Sequence, residues 1–578
     1  MNLADIREEL RQFDEQNISF GQSANIYFLR NYTLEMIEPF IKWRLYKEKI
    51  NPRVQFGDYD VIQQEILDIN SCLHSSQPDL IVLSLIVDNL VPDYPSTKII
   101  PAEIIHQLES LFLMLKEHTS TLIAVNTFIP PFYQEYGLAQ PENAVRLDYL
   151  VEELNQFIRQ YVANHSSQFI LLDLNRYVRI LGEEQSIDYR YWYLSRAPFK
   201  SAFLDMYAMD LINIIRALKG RTKKCVILDC DNTLWGGIIG EDGLAKIKLH
   251  NYEYPGKAYY DFQKNIITLY ERGVLIALCS KNNEEDVWEV LNQHPYSLIK
   301  RSHLAAWRVN WEDKVTNIKS IVEELNIGMD SIVFVDDSEV ECDMIKQYLP
   351  EIQVMLVPKH LYTYPPLLLR EGLFDTLSIS SEDRLRTEMY QAEIKRKDEI
   401  NNFESLDEYL ASLHLTAFIH PIREEEIARV AQMTQKTNQF NLTTHRYSET
   451  DIKKLVQNPN ADIFTLTVAD KFGDYGLTGV FIGMGSDNIY QIDSLLLSCR
   501  ILGRKLEYAF VNHCLSNIKE NRNIQFVQAE YIPTIKNKQV SNFWDQIGFS
   551  VVKESEQKKQ YHLYAFKPRM IDFISIKD

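Results

Sequence analysis

Two carboxylates and a hydroxyl fall within five residues at Asp229-Cys-Asp231-Asn-Thr233, directly after the apolar run Val226-Ile227-Leu228. A short apolar run without alternation is the signature of a fully buried parallel strand. Charges are costly to bury unless something neutralises them, so two Asp at the carboxyl end of such a strand ask for a cation and an anionic substrate. Mg²⁺ suits the pair, being a hard ion that takes one or two carboxylates together with phosphate oxygens.

Three later stretches repeat the pattern. Val274 to Ser280 is again an apolar strand ending in a hydroxyl, with Lys281 and Asn282 after it. Lys314 opens a helical stretch with apolar residues at Val315, Ile318, Ile321, Val322 and Leu325, and Ile332-Val-Phe-Val is a third strand that closes on Asp336 and Asp337. Each group sits at a strand or helix end, where an open α/β sheet places its ligands. The alternative account, unrelated strand ends with solvated acids, has to explain two separate pairings of buried strand with Asp and a lysine between them.

In this order the four stretches resemble motifs I to IV of the haloacid dehalogenase (HAD) phosphatase superfamily. The resemblance implies that Asp229 attacks a phosphoryl group and that Asp231 serves as general acid and then base. It implies that Thr233, Ser280 and Lys314, with Lys281 and Asn282 beside them, hold the phosphoryl oxygens. Mg²⁺ would be held by Asp229, the backbone carbonyl of Asp231 and one of Asp336 or Asp337.

Asn232-Thr-Leu-Trp235-Gly-Gly237 and Gly240-Glu-Asp-Gly243 narrow the resemblance to the FkbH-like proteins. These are an HAD branch associated with loading three-carbon acyl groups onto acyl carrier proteins in polyketide biosynthesis. Tyr191 to Phe199, Thr437 to Thr444 and Leu497 to Arg504 are also similar to long members, so the likeness covers nearly the whole chain. It implies transfer of a glyceryl-type group from an acyl phosphate such as 1,3-bisphosphoglycerate to the phosphopantetheine thiol of a carrier protein, with dephosphorylation. In this family a cysteine can accept the acyl group as a thioester, which makes Cys230 a candidate and Cys279 its substitute. Strand alternation, however, sends residue 230 to the face opposite 229, where Cys serves as a small hydrophobe, and neighbouring carboxylates disfavour its thiolate. An ordinary Mg²⁺-dependent phosphomonoesterase and a non-catalytic carrier-binding scaffold are the alternatives.

The elements that must position these groups divide 578 residues into about three domains. Residues 1–219 alternate apolar strands with helical patterns, as in a parallel sheet covered on both faces. By resemblance this is an SGNH-hydrolase-like domain. It is degenerate, because Thr33 on the first loop is a weak nucleophile without a base and Asp188-Tyr-Arg-Tyr lacks the expected histidine. Asp88 and Asn89 after the third strand read as helix caps. Residues 220–375 form the Rossmann-like HAD core of this α/β chain, and 376–405 a charged connecting helix.

Residues 406–578 read as α+β and resemble the GNAT acyltransferase fold. Arg500, Gly503 and Arg504 at a helix amino terminus, with Asn537, are candidates to hold a pantetheine arm. Lys505 replaces a small residue of the usual pattern there.

The formal charge of −19 argues against nucleic acid, which needs clustered Lys and Arg. Seven cysteines without a Cys-x-x-Cys pair fit reduced thiols in a cytoplasm. The sequence offers neither a signal peptide nor an apolar run long enough to span a bilayer.

Overall fold

A computed structural model describes residues 3–15, 19–94, 100–133, 136–139, 146–379, 386–387, 389–390, 396, 403, 405–486, 488–534, 536–568 and 571–577. Most of the expected connecting helix, 376–405, lies outside these. The chain divides into two compact units, one of residues 1–218 with 448–451 and the other of 219–447 with 452–578. No described helix is long and apolar enough to cross a membrane.

In the first unit, β1 (Ser23–Arg30), β2 (Asn51–Phe56), β3 (Leu80–Ser84), β4 (Leu122–Asn126) and β5 (Phe169–Leu172) form one sheet of order β2-β1-β3-β4-β5. All its pairings are parallel. Buried Val and Ile on both faces of the central strands require helical cover on both sides. Asp88 and Asn89 cap no helix. They lie in a single helical turn, and the Asn89 amide donates to the Asn31 carbonyl and to the Tyr59 hydroxyl, tying two loops together.

The second unit opens with another all-parallel sheet. Its strands β6 (Cys225–Leu228), β7 (Leu275–Ser280), β8 (Leu304–Val309), β9 (Ile332–Asp336) and β10 (Gln353–Leu356) run in the order β10-β9-β6-β7-β8. Alternation divides β6 between two cores. Val226, Leu228 and Cys230 join one cluster, and Cys225 and Ile227 join the other. The helix Lys314–Leu325 packs on the second, burying Val315, Ile318, Ile321, Val322 and Leu325, each worth roughly 1.5–3 kcal/mol in removal from water. Asp313 fixes where that helix starts by accepting from the Thr316 amide at 2.9 Å, and Asn326 ends it in the left-handed region.

Its second sheet has the order β17-β18-β16-β15-β14-β13-β11-β19, with β12 (Phe440–Asn441) attached to β15. The strands are β11 (Thr416–Pro421), β13 (Ala461–Asp470), β14 (Gly473–Ser486), β15 (Ile489–Leu497), β16 (Phe526–Tyr531), β17 (Ser550–Glu554), β18 (Lys559–Leu563) and β19 (Ser575–Lys577). Strands β15 and β16 are parallel, pair only from Ile489 to Gln491, and then part. The chain itself fills the opening. Phe440 and Asn441 pair with Leu497 and Leu496, and the Ile532 amide donates to the Leu442 carbonyl at 2.8 Å.

Asn537 locks that insertion in place, which corrects its expected role in ligand binding. Fully buried, it accepts from the Thr534 amide at 2.7 Å and the Tyr531 hydroxyl at 3.1 Å. Its own amide donates to the Asn441 and Ile532 carbonyls, both at 2.9 Å. No hydrogen-bonding capacity remains for a pantetheine amide. Replacing Asn537 with Ala should cost about 2–4 kcal/mol by leaving buried partners unpaired. Urea unfolding followed by circular dichroism tests this, and a loss below about 0.5 kcal/mol would show that the clamp does not hold the sheet.

Candidate active site

The site lies at the carboxyl edge of the β10-β9-β6-β7-β8 sheet. The strand order changes direction between β6 and β9, so the loops leaving them diverge and open a crevice. Asp229 leaves β6 with its amide on the Val335 carbonyl at 3.0 Å, which sets it beside Asp336 at the end of β9. The first turn of the Lys314 helix brings the ammonium between them, 3.0 Å from Asp229 Oδ1 and 2.6 Å from Asp336 Oδ2. All three side chains are buried. Exposed Asp337 completes the group, with carboxylate oxygens of Asp229, Asp336 and Asp337 within 4.8 Å of one another.

Charge in this cluster is unbalanced. One ammonium faces three carboxylates, and burial together with the Asp229 charge raises Asp336 to about 6 despite its contact with Lys314. Burial and the Asp229 charge raise Asp337 as well. Burial disfavours the Lys314 charge too, but Asp229 and Asp336 outweigh it and keep the ammonium protonated. A divalent cation held by Asp229, Asp336 and Asp337 would remove the deficit, and hard carboxylate oxygens are the donors Mg²⁺ takes. Thr233 adds a second sign of a ligand, because its Oγ1 is buried without a hydrogen-bond partner.

Asp231 is held apart from this cluster. Its Oδ1 accepts from the Trp235 indole at 2.8 Å and the Ile239 amide at 3.0 Å, while Oδ2 accepts from Asn282 at 2.8 Å. Its side chain is therefore no metal ligand, and Asn282 positions Asp231 rather than standing alone in the crevice. Burial raises the Asp231 carboxyl above its usual range, although those three donors pull the other way.

The loop that carries Trp235 also needs its glycines. A Cβ on Gly236 would stand 2.8 Å from the Tyr259 ring, and Gly237 adopts φ +99°. The Asn232 side chain accepts from the Gly237 amide at 2.9 Å, and the Tyr364 hydroxyl donates to the Thr233 carbonyl at 2.8 Å. Nothing in the sequence marked Tyr364 as a support of this loop.

Other expected residues fall elsewhere. Ser280 is buried at the end of β7, next to the cluster's strands, but the Lys281 ammonium pairs with Glu341 at 2.7 Å. Cys230 is fully buried among Val226, Leu228 and Leu234, and burial followed by the Asp229 charge pushes its thiol well above the usual range. Closed off and protonated, it is not poised to carry an acyl group, which corrects the thioester expectation. Cys279 is likewise buried, in the opposite core, with its thiol raised to about 12 by burial.

In the second sheet, Arg504 is buried against the Tyr475 hydroxyl instead of facing a pyrophosphate or pantetheine. Tyr475 donates to Asp470 at 2.7 Å, and Asp470 is paired with buried Arg396. Arg500 donates to Ser498 Oγ at 3.2 Å. Gly503, at φ +79°, alone keeps open space before the helix Leu506–Asn521. In the first unit, Thr33 Oγ1 donates to the Ser195 carbonyl at 2.6 Å, so its hydroxyl is engaged by backbone rather than by a base.

Strand order, buried lysine and carboxylate cluster together define a HAD-type phosphatase domain whose carboxylates suit a divalent cation. Residues 224–354 match the NLI interacting factor-like phosphatase family. The chain is similar to the N-terminal part of a Bacteroides fragilis protein, a structure containing a phosphatase domain complexed with Mg. Identity is 26%, the TM-score is 0.58, and the match covers 62% of this chain and 95% of that one. A GNAT-family acetyltransferase from Streptococcus pneumoniae matches at 9% identity and a TM-score of 0.21, over 26% of this chain and 99% of that one. No curated protein matches the chain.

Mg²⁺ at about 100 times its Kd should stabilise the protein by about 2.7 kcal/mol. Asp336→Asn should remove most of that increment by deleting a ligand. Thermal unfolding with Mg²⁺ or EDTA measures both, and an unchanged increment in the variant would place the ion elsewhere.

Proposed function

We propose that the chain transfers a phosphoryl group from a small phosphorylated metabolite, with Asp229 as nucleophile and Asp231 as general acid and base. The observation that carries this reading is the buried Lys314 ammonium standing between Asp229 and Asp336 with Asp337 alongside. Asp229 Oδ attacks phosphorus and forms an aspartyl phosphate. Lys314 and the Thr233 hydroxyl hold oxygens of the transferring group, a reaction in which positioning and charge neutralisation supply most of the catalysis. Bound Mg²⁺ would neutralise the phosphoryl charge against the carboxylates. Asp231, whose burial favours the protonated carboxyl, gives its proton to the leaving oxygen and then takes one from the attacking water.

We further propose that the donor is an acyl phosphate of a three-carbon acid, such as 1,3-bisphosphoglycerate. The acyl group would pass to the phosphopantetheine thiol of an acyl carrier protein in polyketide-type biosynthesis, its C–O bond breaking with the acyl-linked phosphate as leaving group, while Asp229 would act on the separate phosphate monoester of the same substrate. The resemblance of motifs along nearly the whole chain supports this, and burial of Cys230 favours direct delivery over a thioester on that residue. Burial of the same thiol also suits the second reading, a simple Mg²⁺-dependent phosphomonoesterase.

Incubation with 1,3-bisphosphoglycerate, Mg²⁺ and a holo carrier protein separates the two readings by mass spectrometry. Acylated carrier supports transfer; phosphate release without it supports the phosphomonoesterase. Asp229→Asn should lower phosphate release by roughly 10³-fold or more in either case, and unchanged turnover would remove Asp229 as nucleophile.

A further inference from the structure

The turn that leaves β6 brings two hydrogen-bond donors onto one oxygen of Asp231. The Thr233 and Leu234 amides donate to the Cys230 carbonyl at 3.2 and 2.8 Å, and Asn232 takes φ +53°, so the chain reverses sharply. The reversal sets the Trp235 indole 2.8 Å from Asp231 Oδ1, and the same loop returns the Ile239 amide to that oxygen at 3.0 Å. Oδ2 accepts from Asn282, which follows β7, at 2.8 Å.

The loop that supplies the indole is braced from several sides. Trp235 is fully buried, and the Gln263 amide donates to the neighbouring Leu234 carbonyl at 2.9 Å. Gln263 is buried as well, and its Oε1 accepts from the Leu298 amide at 2.9 Å. Gly236 and Lys248 exchange both of their backbone hydrogen bonds, at 3.0 and 2.7 Å. A buried indole needs an acceptor, and a backbone carbonyl would serve. Here two donors from one loop converge instead on a single carboxylate oxygen, which packing alone does not require.

Counting acceptor positions separates the two oxygens. A carboxylate has about four lone-pair sites, two on each oxygen. Trp235 and Ile239 take both on Oδ1, whereas Asn282 takes one on Oδ2. A proton on Oδ1 would displace one of those donors and leave it buried without a partner. The free site on Oδ2 accepts a proton with no such loss.

We propose that Trp235 and Asn282 are positioning residues that confine proton exchange by Asp231 to its Oδ2. The proposal rests on the phosphoryl-transfer reading above and specifies how the acid and base of that reaction is held. In the first half, an Asp229 carboxylate oxygen bonds to phosphorus as the ester P–O bond breaks. The electron pair of that bond goes to the leaving oxygen, which takes the Oδ2 proton. In the second half, a water oxygen bonds to phosphorus and its proton passes to Oδ2. The aspartyl P–O bond then breaks with its electron pair returning to Asp229. Trp235 acts in both halves only through Asp231.

A general acid matters more as the oxygen it protonates becomes more basic. Phenolate is more basic than p-nitrophenolate, which leaves readily without a proton. The test therefore uses the full chain with Mg²⁺, in excess over phenyl phosphate or p-nitrophenyl phosphate, and follows phenol or p-nitrophenol in a single turnover. Trp235→Phe keeps a ring in the core and removes the N–H. It should slow phenol release by about tenfold or more and p-nitrophenol release by less than about threefold. Asn282→Ala, on a different element, should give the same split, and it decides the matter if Trp235→Phe does not fold. Equal slowing of both esters marks a merely structural role and overturns the proposal, as does phenol release within about twofold of wild type. Equal slowing by Asp231→Asn removes Asp231 as the acid, and the proposal with it, while leaving Asp229 as nucleophile. Wild-type protein that releases neither phenol nor p-nitrophenol overturns the phosphoryl reading and this proposal together.

Discussion

The buried contact of Lys314 with Asp229 and Asp336 is the constraint on which the phosphatase domain depends. Breaking a buried ion pair by removing one partner typically costs about 3–5 kcal/mol, so β6, β9 and the helix that starts at Lys314 are tied to one another through this point. The tie is incomplete as electrostatics, since one ammonium cannot neutralise three carboxylates. That residual charge is what makes the crevice receptive to a cation and, through the cation, to phosphate. The same side chains that hold three elements together therefore leave the site short of positive charge.

The period of a strand explains how a carboxylate of the crevice and an inert thiol can be adjacent in sequence. Asp229 and Cys230 point to opposite faces, so one enters the crevice and the other enters the core with Val226 and Leu228. A thiol in that position gains nothing from being beside the two carboxylates. Its thiolate would be unsolvated and next to a carboxylate, which is the environment that keeps cysteine protonated.

Much of this was legible in the sequence because it is local. Continuous apolar runs at 226–228, 274–279 and 332–335 marked buried parallel strands, and the polar residue at the end of each marked the edge where the site lies. Strand alternation turns Cys230 away from the crevice on its position in the chain alone. What was not legible depended on pairs distant in the chain. The ammonium of Lys281 follows a strand end just as a phosphate ligand would, and only the approach of Glu341 assigns it to an ion pair. Asn537 has the composition of a ligand-binding residue, but its meaning comes from Asn441, 96 residues away. Arg504 stands before a helix, as an anion-binding residue would, yet the position of Tyr475 turns it inward.

The opening between β15 and β16 is filled by the chain itself. Two parallel strands that part leave unpaired amides and carbonyls, an obvious cleft for an extended ligand. Here Phe440 to Leu442 take that place and use those groups, held by Asn537 from one side and by β15 from the other. A ligand cannot lie there without displacing a segment bonded on both edges.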